Sequence, residues 1–183
     1  MHGGMKIGAY WSHIRNYEWQ QFCRTCHSTE SMEHILINCG EGTTSQIWNL
    51  AKETWPHSPL LWPEINLGTV LGCGTLIIPR TNEHQAGNYV QRNQRSQTRL
   101  LQILISEAAH LIWVLRCERV LQDCQHTRAE RESRWKQAIN TRLTDDQITA
   151  TKIKCEKSFT FLVKTTWEQL LKNKDAPTLN RAM

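Results

Sequence analysis

The chain has 183 residues, of which 39% are hydrophobic and 21% are charged, and its formal net charge is +5. This length is enough for one ordinary domain or for a small module joined to a medium-sized one, and the content of Trp, Leu and Ile excludes an intrinsically disordered chain. No apolar run reaches the roughly 18 residues of a membrane span, and the N-terminal residues lack the basic flank and apolar stretch of a signal peptide. We therefore expect an intracellular protein of the cytoplasm or nucleus, with no membrane partner.

The N-terminal segment is rich in aromatic residues. Residues 5–20 carry apolar side chains close to helical spacing, which predicts a short helix or an aromatic lid in front of a cysteine cluster. These side chains are Ile7, Tyr10, Trp11, Ile14 and Trp19. We take residues 5–42 as one small module.

The cysteine cluster has the spacing of a metal site. Cys23, Cys26, His34 and Cys39 follow the pattern C-x2-C-x7-H-x4-C, and thiolates with an imidazole are the ligands of tetrahedral zinc. Four protein ligands leave no open coordination position, so the predicted Zn²⁺ is structural and not catalytic. The alternative is that the four residues are neighbours by chance. His27 is the next candidate ligand, but it directly follows Cys26 and is expected to face solvent.

A short helix is predicted inside this module. Thr29 is a plausible N-cap, with Glu30 and Glu33 near the positive end of the helix dipole. The helix would cover residues 31–39 and end at Gly40, and it would turn His34 towards the cysteines.

Short elements are predicted between residues 43 and 96. A helix is expected over residues 43–55, followed by a proline-rich connector, and residues 43–78 are grouped as short helices with that connector. The segment "GTLIIP" is the one strand candidate in this sequence. Residues 79–96 are almost free of apolar groups and predict an exposed polar loop.

The second half predicts long helices. Residues 97–123 contain no Gly or Pro and repeat apolar residues every three or four positions, which predicts one long amphipathic helix. Two further helices are expected, over about 128–143 and, with an interruption, over 145–172, the second beginning at Asp145 and Asp146 after Thr144. Residues 97–172 thus form a helical region and residues 173–183 a frayed tail. The expected fold class is all-α, with a small CCHC zinc-binding module followed by a bundle of helices.

Two stretches of the sequence are similar to one known family. "CRTCHSTESMEHILINC" and its lead-in "MKIGAYWSHIRNYEWQQF" resemble the zinc-binding C-terminal region of non-LTR, LINE-type retrotransposon reverse transcriptases, in its fungal version. "ISEAAHLIWVLRCERVL" is similar to the "IWxxRNxRV" helix of these elements, with Cys117 where Asn is common. The resemblance covers residues 5–125 discontinuously. It implies a region that follows a reverse transcriptase and often a ribonuclease H domain.

The catalytic residues of those enzymes are not recognisable in this sequence. Both reactions need clustered carboxylates that hold two metal ions, whereas Asp occurs only at Asp123, Asp145, Asp146 and Asp175. We interpret Asp145 and Asp146 as a helix N-terminus and not as a metal pair. We therefore expect a non-catalytic remnant of a retrotransposon polyprotein, with RNA or single-stranded DNA as its partner. An alternative is a fragment of an enzyme whose catalytic part lies upstream.

Positive charge is concentrated away from the cysteine cluster. Residues 1–45 carry a net charge of −1 and residues 46–90 also −1, whereas residues 91–136 hold nine basic against five acidic groups. Arg128, Arg131 and Arg134 share a helical face and could follow phosphates, or could pair with Glu130 and Glu132 as a solvated face. The candidate nucleic-acid contacts are Arg15, Arg24, Arg128, Arg131, Arg134, Lys152 and Lys154.

Two other roles are open for the aromatic residues. Tyr10, Trp11, Tyr17 and Trp19 could stack on nucleobases beside Arg15 and Arg24, but the slight negative charge of the module favours a role in covering the zinc site. Alternatively, the tryptophan-rich helices form a structural or protein-interaction module, in which the long helix binds protein and zinc is only a staple.

Overall fold

The computed structural model describes residues 6–40, 42–79, 88–152 and 157–172, and these residues are helical apart from turns and connecting segments. The α-helices are α1 (Thr43–Thr54), α2 (Leu67–Leu71), α3 (Asn88–Gln122), α4 (Arg128–Lys152) and α5 (Lys157–Lys172). Short 3-10 turns occupy Gly8–His13, Glu18–Gln21, Pro59–Leu61 and Cys73–Thr75. Across the described ranges, the one strand-like pairing is an isolated bridge between Phe22 and Thr29. The predicted all-α class is confirmed.

Helix α3 is the centre of the fold, and α1, α4 and α5 pack against it. Its buried side chains recur at helical spacing and are Leu100, Leu101, Ile103, Leu104, Ile105, Ala108, Leu111, Ile112 and Leu115. The facing helices bring Ile47, Trp135 and Trp167, which are 0–1% exposed. Burying a side chain of this size is worth about 1.5–3 kcal/mol, so the bundle is held chiefly by its apolar core.

The part of helix α3 from Gln94 to Gln122 is long and apolar enough to cross a membrane, by length and composition alone. However, 56% of its most apolar 18-residue stretch is buried inside the fold. The core helix of a water-soluble protein has this pattern, and the buried positions above explain it here.

Helix α3 begins earlier than the periodicity predicts. It starts at Asn88 and not near residue 97, so the predicted exposed loop is wrong for residues 88–96, whereas residues 80–87 lie outside the described residues. The polar side chains near its start are used in contacts: the Gln94 amide donates to the Ile78 carbonyl at 2.6 Å, and the Ser96 and Thr165 hydroxyls are 2.6 Å apart. Helices can thus begin with a polar segment that tertiary contacts support.

Helix α4 also differs from the prediction. It begins after Thr127, which forms a capping box with Glu130: the Thr127 N–H donates to the Glu130 carboxylate at 2.7 Å, and the Glu130 N–H donates to the Thr127 hydroxyl at 3.2 Å. The helix then continues past Thr144 to Lys152. The hydroxyl of Thr144 donates back to the Asn140 carbonyl at 2.9 Å, as within a helix. The predicted helix start at residue 145 is therefore wrong, and residues 153–156 and the predicted tail at 173–183 lie outside the described residues.

Asp146 joins three helices in the interior. It is 6% exposed and accepts hydrogen bonds from Arg99 Nη2 on α3 at 2.8 Å and from Trp167 Nε1 on α5 at 2.8 Å. Arg99 Nη1 lies 2.7 Å from the second carboxylate oxygen. Burial disfavours the charged carboxylate, but the hydrogen bonds from Arg99 and Trp167 outweigh it and hold the pKa of Asp146 below its ordinary value. Asp146 is thus a structural anion of the core.

Replacing Asp146 with alanine is expected to lower the free energy of unfolding by about 3 kcal/mol, because the half-buried Arg99 loses its counter-ion. The matched control is Asp145→Ala, since Asp145 is the exposed neighbour on the same helix, and its effect should stay within about 0.5 kcal/mol. Urea denaturation followed by circular dichroism measures both. Equal effects of the two substitutions would contradict the assignment.

Candidate metal centre

The first two cysteines sit in a tight turn. The N–H of Cys23 donates to the Ser28 carbonyl at 2.8 Å, and the N–H of His27 donates to the Cys23 carbonyl at 2.9 Å. His27 adopts a left-handed conformation with φ of 58°, which reverses the chain directly after Cys26. The turn brings both sulfur atoms to one side and leaves His27 exposed, as predicted.

The third ligand, His34, lies on a short helical segment, and the fourth, Cys39, directly follows it. Met32 and Glu33 form its first turn, and His34–Asn38 continue it as a wider π-type turn. The Ser31 hydroxyl accepts the N–H of His34 at 2.9 Å, so Ser31 caps this segment and the predicted N-cap at Thr29 is wrong. The segment ends before Cys39, whose backbone is extended. π-type turns are often found where a helix carries functional residues.

The four predicted ligand atoms converge. They all lie within 4.8 Å of one another, with Cys23 Sγ 3.9 Å from Cys39 Sγ and Cys26 Sγ 3.3 Å from His34 Nε2. In tetrahedral zinc, bond lengths of about 2.3 Å to sulfur and 2.0–2.1 Å to nitrogen place the sulfur atoms about 3.8 Å apart and sulfur about 3.6 Å from nitrogen. The cysteines are free thiols and form no disulfide. These four side chains therefore form a site that fits a metal ion.

The acidities of these thiols differ because they share a partly buried space. Burial opposes the Cys23 thiolate, but hydrogen bonds from Thr25, the Cys26 backbone and His34 outweigh it and lower the pKa of Cys23 to about 6. Burial, together with the charge of Cys23, raises the pKa of Cys39 to about 12, although the Arg119 guanidinium acts in the opposite direction. Cys39 can therefore join Cys23 as a thiolate only if a cation is close, and a divalent metal would supply that charge.

The metal module is docked on the bundle. Glu30 is 4% exposed and pairs with Arg116 of α3, whose Nε lies 3.3 Å from the Glu30 carboxylate. Helix α1 adds two contacts, since Thr44 Oγ1 donates to the Ile35 carbonyl at 3.2 Å and Trp48 Nε1 donates to the Leu36 carbonyl at 2.8 Å. Sequence reasoning missed these roles because it treated Glu30 only as a helix-dipole partner, and its partner Arg116 lies 86 positions away in the sequence.

Gly8 fixes the approach of the aromatic lead-in to this module. It is buried with φ of 52°, and a Cβ atom there would lie 1.9 Å from the Glu30 carbonyl oxygen. No other residue type fits this position without a shift of the backbone. The lead-in thus reaches the same residue that anchors the module to α3.

Most aromatic rings of the lead-in are exposed. Tyr10, Tyr17 and Trp19 are 41%, 48% and 50% exposed, so the prediction that they are buried over the zinc is wrong for these three. Trp11 is half-buried, with its ring centroid 5.1 Å from that of Tyr10 and 6.0 Å from that of Tyr17. Two 3-10 turns, Gly8–His13 and Glu18–Gln21, replace the predicted short helix.

The predicted arginine row on α4 is divided between different contacts. Arg131 donates to Gln46 at 2.7 Å and to Thr43 at 2.8 Å, which ties α4 to α1. Arg134 forms two hydrogen bonds with Glu118, one of them at 2.8 Å. Arg128 is exposed and pairs with Glu132 at 3.2 Å. The sequence also allowed these arginines to pair with Glu130 and Glu132. Only the pair with Glu132 forms, because the Glu130 carboxylate caps the start of α4.

The remaining basic candidates lie elsewhere. Arg15 and Lys152 are exposed, and Lys154 lies outside the described residues. Arg24 lies over the Trp19 ring, with its Cζ 4.9 Å from the ring centroid, and its Nη1 is 3.4 Å from Asp123. Among the described residues, the contacts of the other six basic candidates lie on different elements and do not join them into one patch.

In comparisons with known proteins, no family model, no curated protein and no solved structure matches this chain.

The Glu118–Arg134 pair predicts an acid dependence of stability. Hydrogen bonds from Arg134, with a further contribution from His126, hold the pKa of Glu118 at about 2, below its ordinary 4.5. Because the pKa is lower in the folded protein, this contribution is present above pH 4.5 and is lost as the pH falls towards 2. Glu118→Gln should lower the free energy of unfolding at pH 7 by about 1 kcal/mol and flatten its decline in acid.

Denaturation curves at several pH values between 7 and 3 measure this effect. Glu132→Gln is the matched control, because it removes an exposed ion pair on α4 and should change little. A Glu118→Gln profile parallel to that of the wild type would contradict the assignment.

Proposed function

We propose that this chain is a zinc-stapled, non-catalytic module that binds RNA or single-stranded DNA, derived from the C-terminal region of a non-LTR retrotransposon reverse transcriptase. The observation that carries the binding role is the set of exposed aromatic rings next to cations on the metal module. The protein acts in the reducing cytoplasm or nucleus, where the free thiols described above stay available for metal.

The donor set supports zinc as the metal. Three thiolates and one imidazole suit zinc, whereas calcium and magnesium prefer oxygen ligands. Cys23, His34 and Cys39 are 1–9% exposed, so solvent has little access to the centre. With four protein ligands, no position is open for a substrate, which supports a structural role.

The exposed surface of the metal module is less negative than the net charge of its sequence indicates. Residues 6–40 contain three cations and three carboxylates, but Glu30 is buried in its pair with Arg116. Among the described residues of the module, the exposed groups are therefore Lys6, Arg15 and Arg24 against Glu18 and Glu33, and Arg24 is paired with the exposed Asp123 of the segment after α3. Lys6 and Arg15 are the cations of this surface that can attract phosphates.

The exposed rings supply the second half of a single-strand site. Trp19 has the Arg24 guanidinium over its ring, and Tyr10 has the Lys6 ammonium 5.9 Å from its ring centroid. Each aromatic face can stack on a base of any sequence, while the cations contact the backbone. This chemistry favours single strands over duplexes, whose bases are already stacked.

The retrotransposon origin is supported by the arrangement of the two similar segments. The cysteine segment and the "IWVLRCERV" stretch of α3 are in contact through Glu30 and Arg116. Segments that lie apart in the sequence but form one unit are expected to be inherited together. Catalysis by Asp145 and Asp146 is disfavoured, because Asp146 is used in the core.

A protein-interaction module is the second candidate. Trp55, Trp135 and Trp167 are at most 6% exposed and so unavailable to a partner. What favours this candidate is the exposure of Leu60 and Ile77, which are 94% and 75% exposed near α2.

The metal assignment predicts one equivalent of zinc in protein purified without added metal. Cys26→Ala should abolish zinc binding and melt residues 20–42, because the binding free energy of the metal contributes to folding of the module. Cys124→Ala is the control, since Cys124 is an exposed free cysteine outside the ligand set. Elemental analysis and circular dichroism measure both, and a wild type without zinc would refute the assignment.

The nucleic-acid assignment predicts salt-dependent binding of a fluorescent 20-nucleotide oligouridine and of the matching DNA strand. Trp19→Ala should weaken binding by about tenfold, because one stacked base is worth about 1–3 kcal/mol. Phe161→Ala is the control, since Phe161 is a similarly exposed aromatic residue on α5. Absence of binding at low salt, or binding without salt dependence, would exclude this function in favour of the protein-interaction module.

A further inference from the structure

A cavity of about 610 Å³ lies between helices α1 and α4, away from the cysteines. Small-molecule sites in proteins have volumes of roughly 300–1,000 Å³, so this space is large enough for a ligand. On the α1 side it is lined by Ser45, Gln46, Asn49 and Glu53, which share one face of the helix. Ser45 and Glu53 are about 12 Å apart along the helix axis, so the cavity has two distinct ends.

Two contacts define the direction of the helices beside this cavity. Gln46 Nε2 donates to the Arg128 carbonyl at 3.0 Å, near the start of both helices. Further along, Trp135 Nε1 donates to Thr54 Oγ1 at 3.0 Å. The helices therefore run in the same direction, and residues from the first turns of both meet at one end of the cavity.

That end of the cavity carries two guanidinium groups. Arg131 donates to Gln46 and Thr43, which are neutral, so these contacts leave its positive charge in place. Arg128 pairs with Glu132, but the Arg128 side chain is 81% exposed, and such a pair holds its partners weakly. Arg128 can therefore turn to a ligand. Two guanidinium groups suit a phosphate, whose oxygens accept paired hydrogen bonds.

The other end of the cavity has a different chemistry. The carboxylate of Glu53 is exposed there and can accept hydrogen bonds from hydroxyl or amino groups, and the amide of Asn49 can both donate and accept. Leu50 supplies half-buried apolar surface between the two ends. Inorganic phosphate would fill only the arginine end. A phosphate joined to a flat group that carries hydroxyls and amides would fill both.

We propose that the cavity between α1 and α4 binds a nucleotide, with its phosphate at Arg128 and Arg131 and its ribose and base over Leu50 towards Asn49 and Glu53. A free nucleotide and one nucleotide of a single strand offer the same chemistry, and the experiment below separates these two sources. The site is formed by residues outside the metal module, so the inference goes beyond the function proposed above and does not depend on zinc.

The test titrates uridine 5′-monophosphate and inorganic phosphate, each at millimolar concentration, into the full chain by isothermal titration calorimetry. Arg128→Gln should weaken binding of both by about fivefold, because each loses a charge-assisted hydrogen bond. Arg95→Gln is the matched control, since Arg95 is an exposed arginine on α3 outside the cavity. Arg131 is left intact because it ties α4 to α1, and circular dichroism checks that each variant is folded.

Glu53→Ala tests the nucleoside end of the cavity. The ratio of the affinity for uridine monophosphate to that for inorganic phosphate should fall by about threefold, because only the nucleoside loses a hydrogen bond. Glu64→Ala is the control, since Glu64 is an exposed glutamate outside the cavity, and it should leave the ratio unchanged.

Three results would overturn the inference. They are no binding of uridine monophosphate to the wild type, equal wild-type affinities for the nucleotide and for inorganic phosphate, and an Arg128→Gln or Glu53→Ala variant that behaves like its control. Equal affinities would mean that the cavity holds an anion only.

Competition with the oligouridine used above identifies the source of the nucleotide. Displacement of uridine monophosphate by the oligouridine assigns the cavity to a strand, whereas undisturbed binding of the monophosphate assigns it to free nucleotides. A wild type that binds the oligouridine but not the monophosphate refutes this inference alone. Binding of the monophosphate without any binding of the oligouridine refutes the single-strand function and supports the cavity assignment.

Discussion

The buried ion pair between Glu30 and Arg116 connects the two parts of this molecule. Glu30 leaves water to meet a guanidinium from the middle of α3, and neither charge can be exposed or left alone at low cost. This requirement holds the cysteine loop against α3 in one orientation, and Gly8 then allows the aromatic lead-in to pass directly over the Glu30 carbonyl oxygen. The contact thus joins the segment that carries the metal ligands to the central helix of the bundle.

A second buried carboxylate–arginine pair connects the helices of the bundle. Asp146 accepts hydrogen bonds from Arg99 and Trp167, so one buried carboxylate sets the relative positions of α3, α4 and α5. An apolar core stabilises helices against each other but defines their rotation and register weakly, since many hydrophobic packings have similar free energies. A buried charge has very few acceptable partners. We therefore regard the two ion pairs as the features that select this arrangement of helices.

In this architecture, the candidate metal site and the candidate nucleic-acid-binding surface lie on different sides of the module. The candidate metal ligands lie inward, against α3, and in the proposed function a bound metal would stabilise the loop without an open coordination position. The rings of Tyr17 and Trp19 lie outward and remain exposed, together with the arginine that stacks on Trp19. Because Glu30 is buried in its pair with Arg116, it adds no negative charge to the outward face. In the proposed function, the metal site on one side thus supports a nucleic-acid-binding surface on the other.

The sequence by itself determined the ligand set, the all-α class and the long central helix, because ligand spacing and helical periodicity are local properties of the chain. Only the tertiary structure decided how the charged residues are used. Glu30 and Arg116 are 86 positions apart, and Arg99 and Asp146 are 47 apart. Partners at such separations leave no periodic pattern. Local reasoning therefore assigned Glu30 to a helix dipole and Asp146 to a helix start, and it expected a loop where the polar start of α3 gains its support from neighbouring elements.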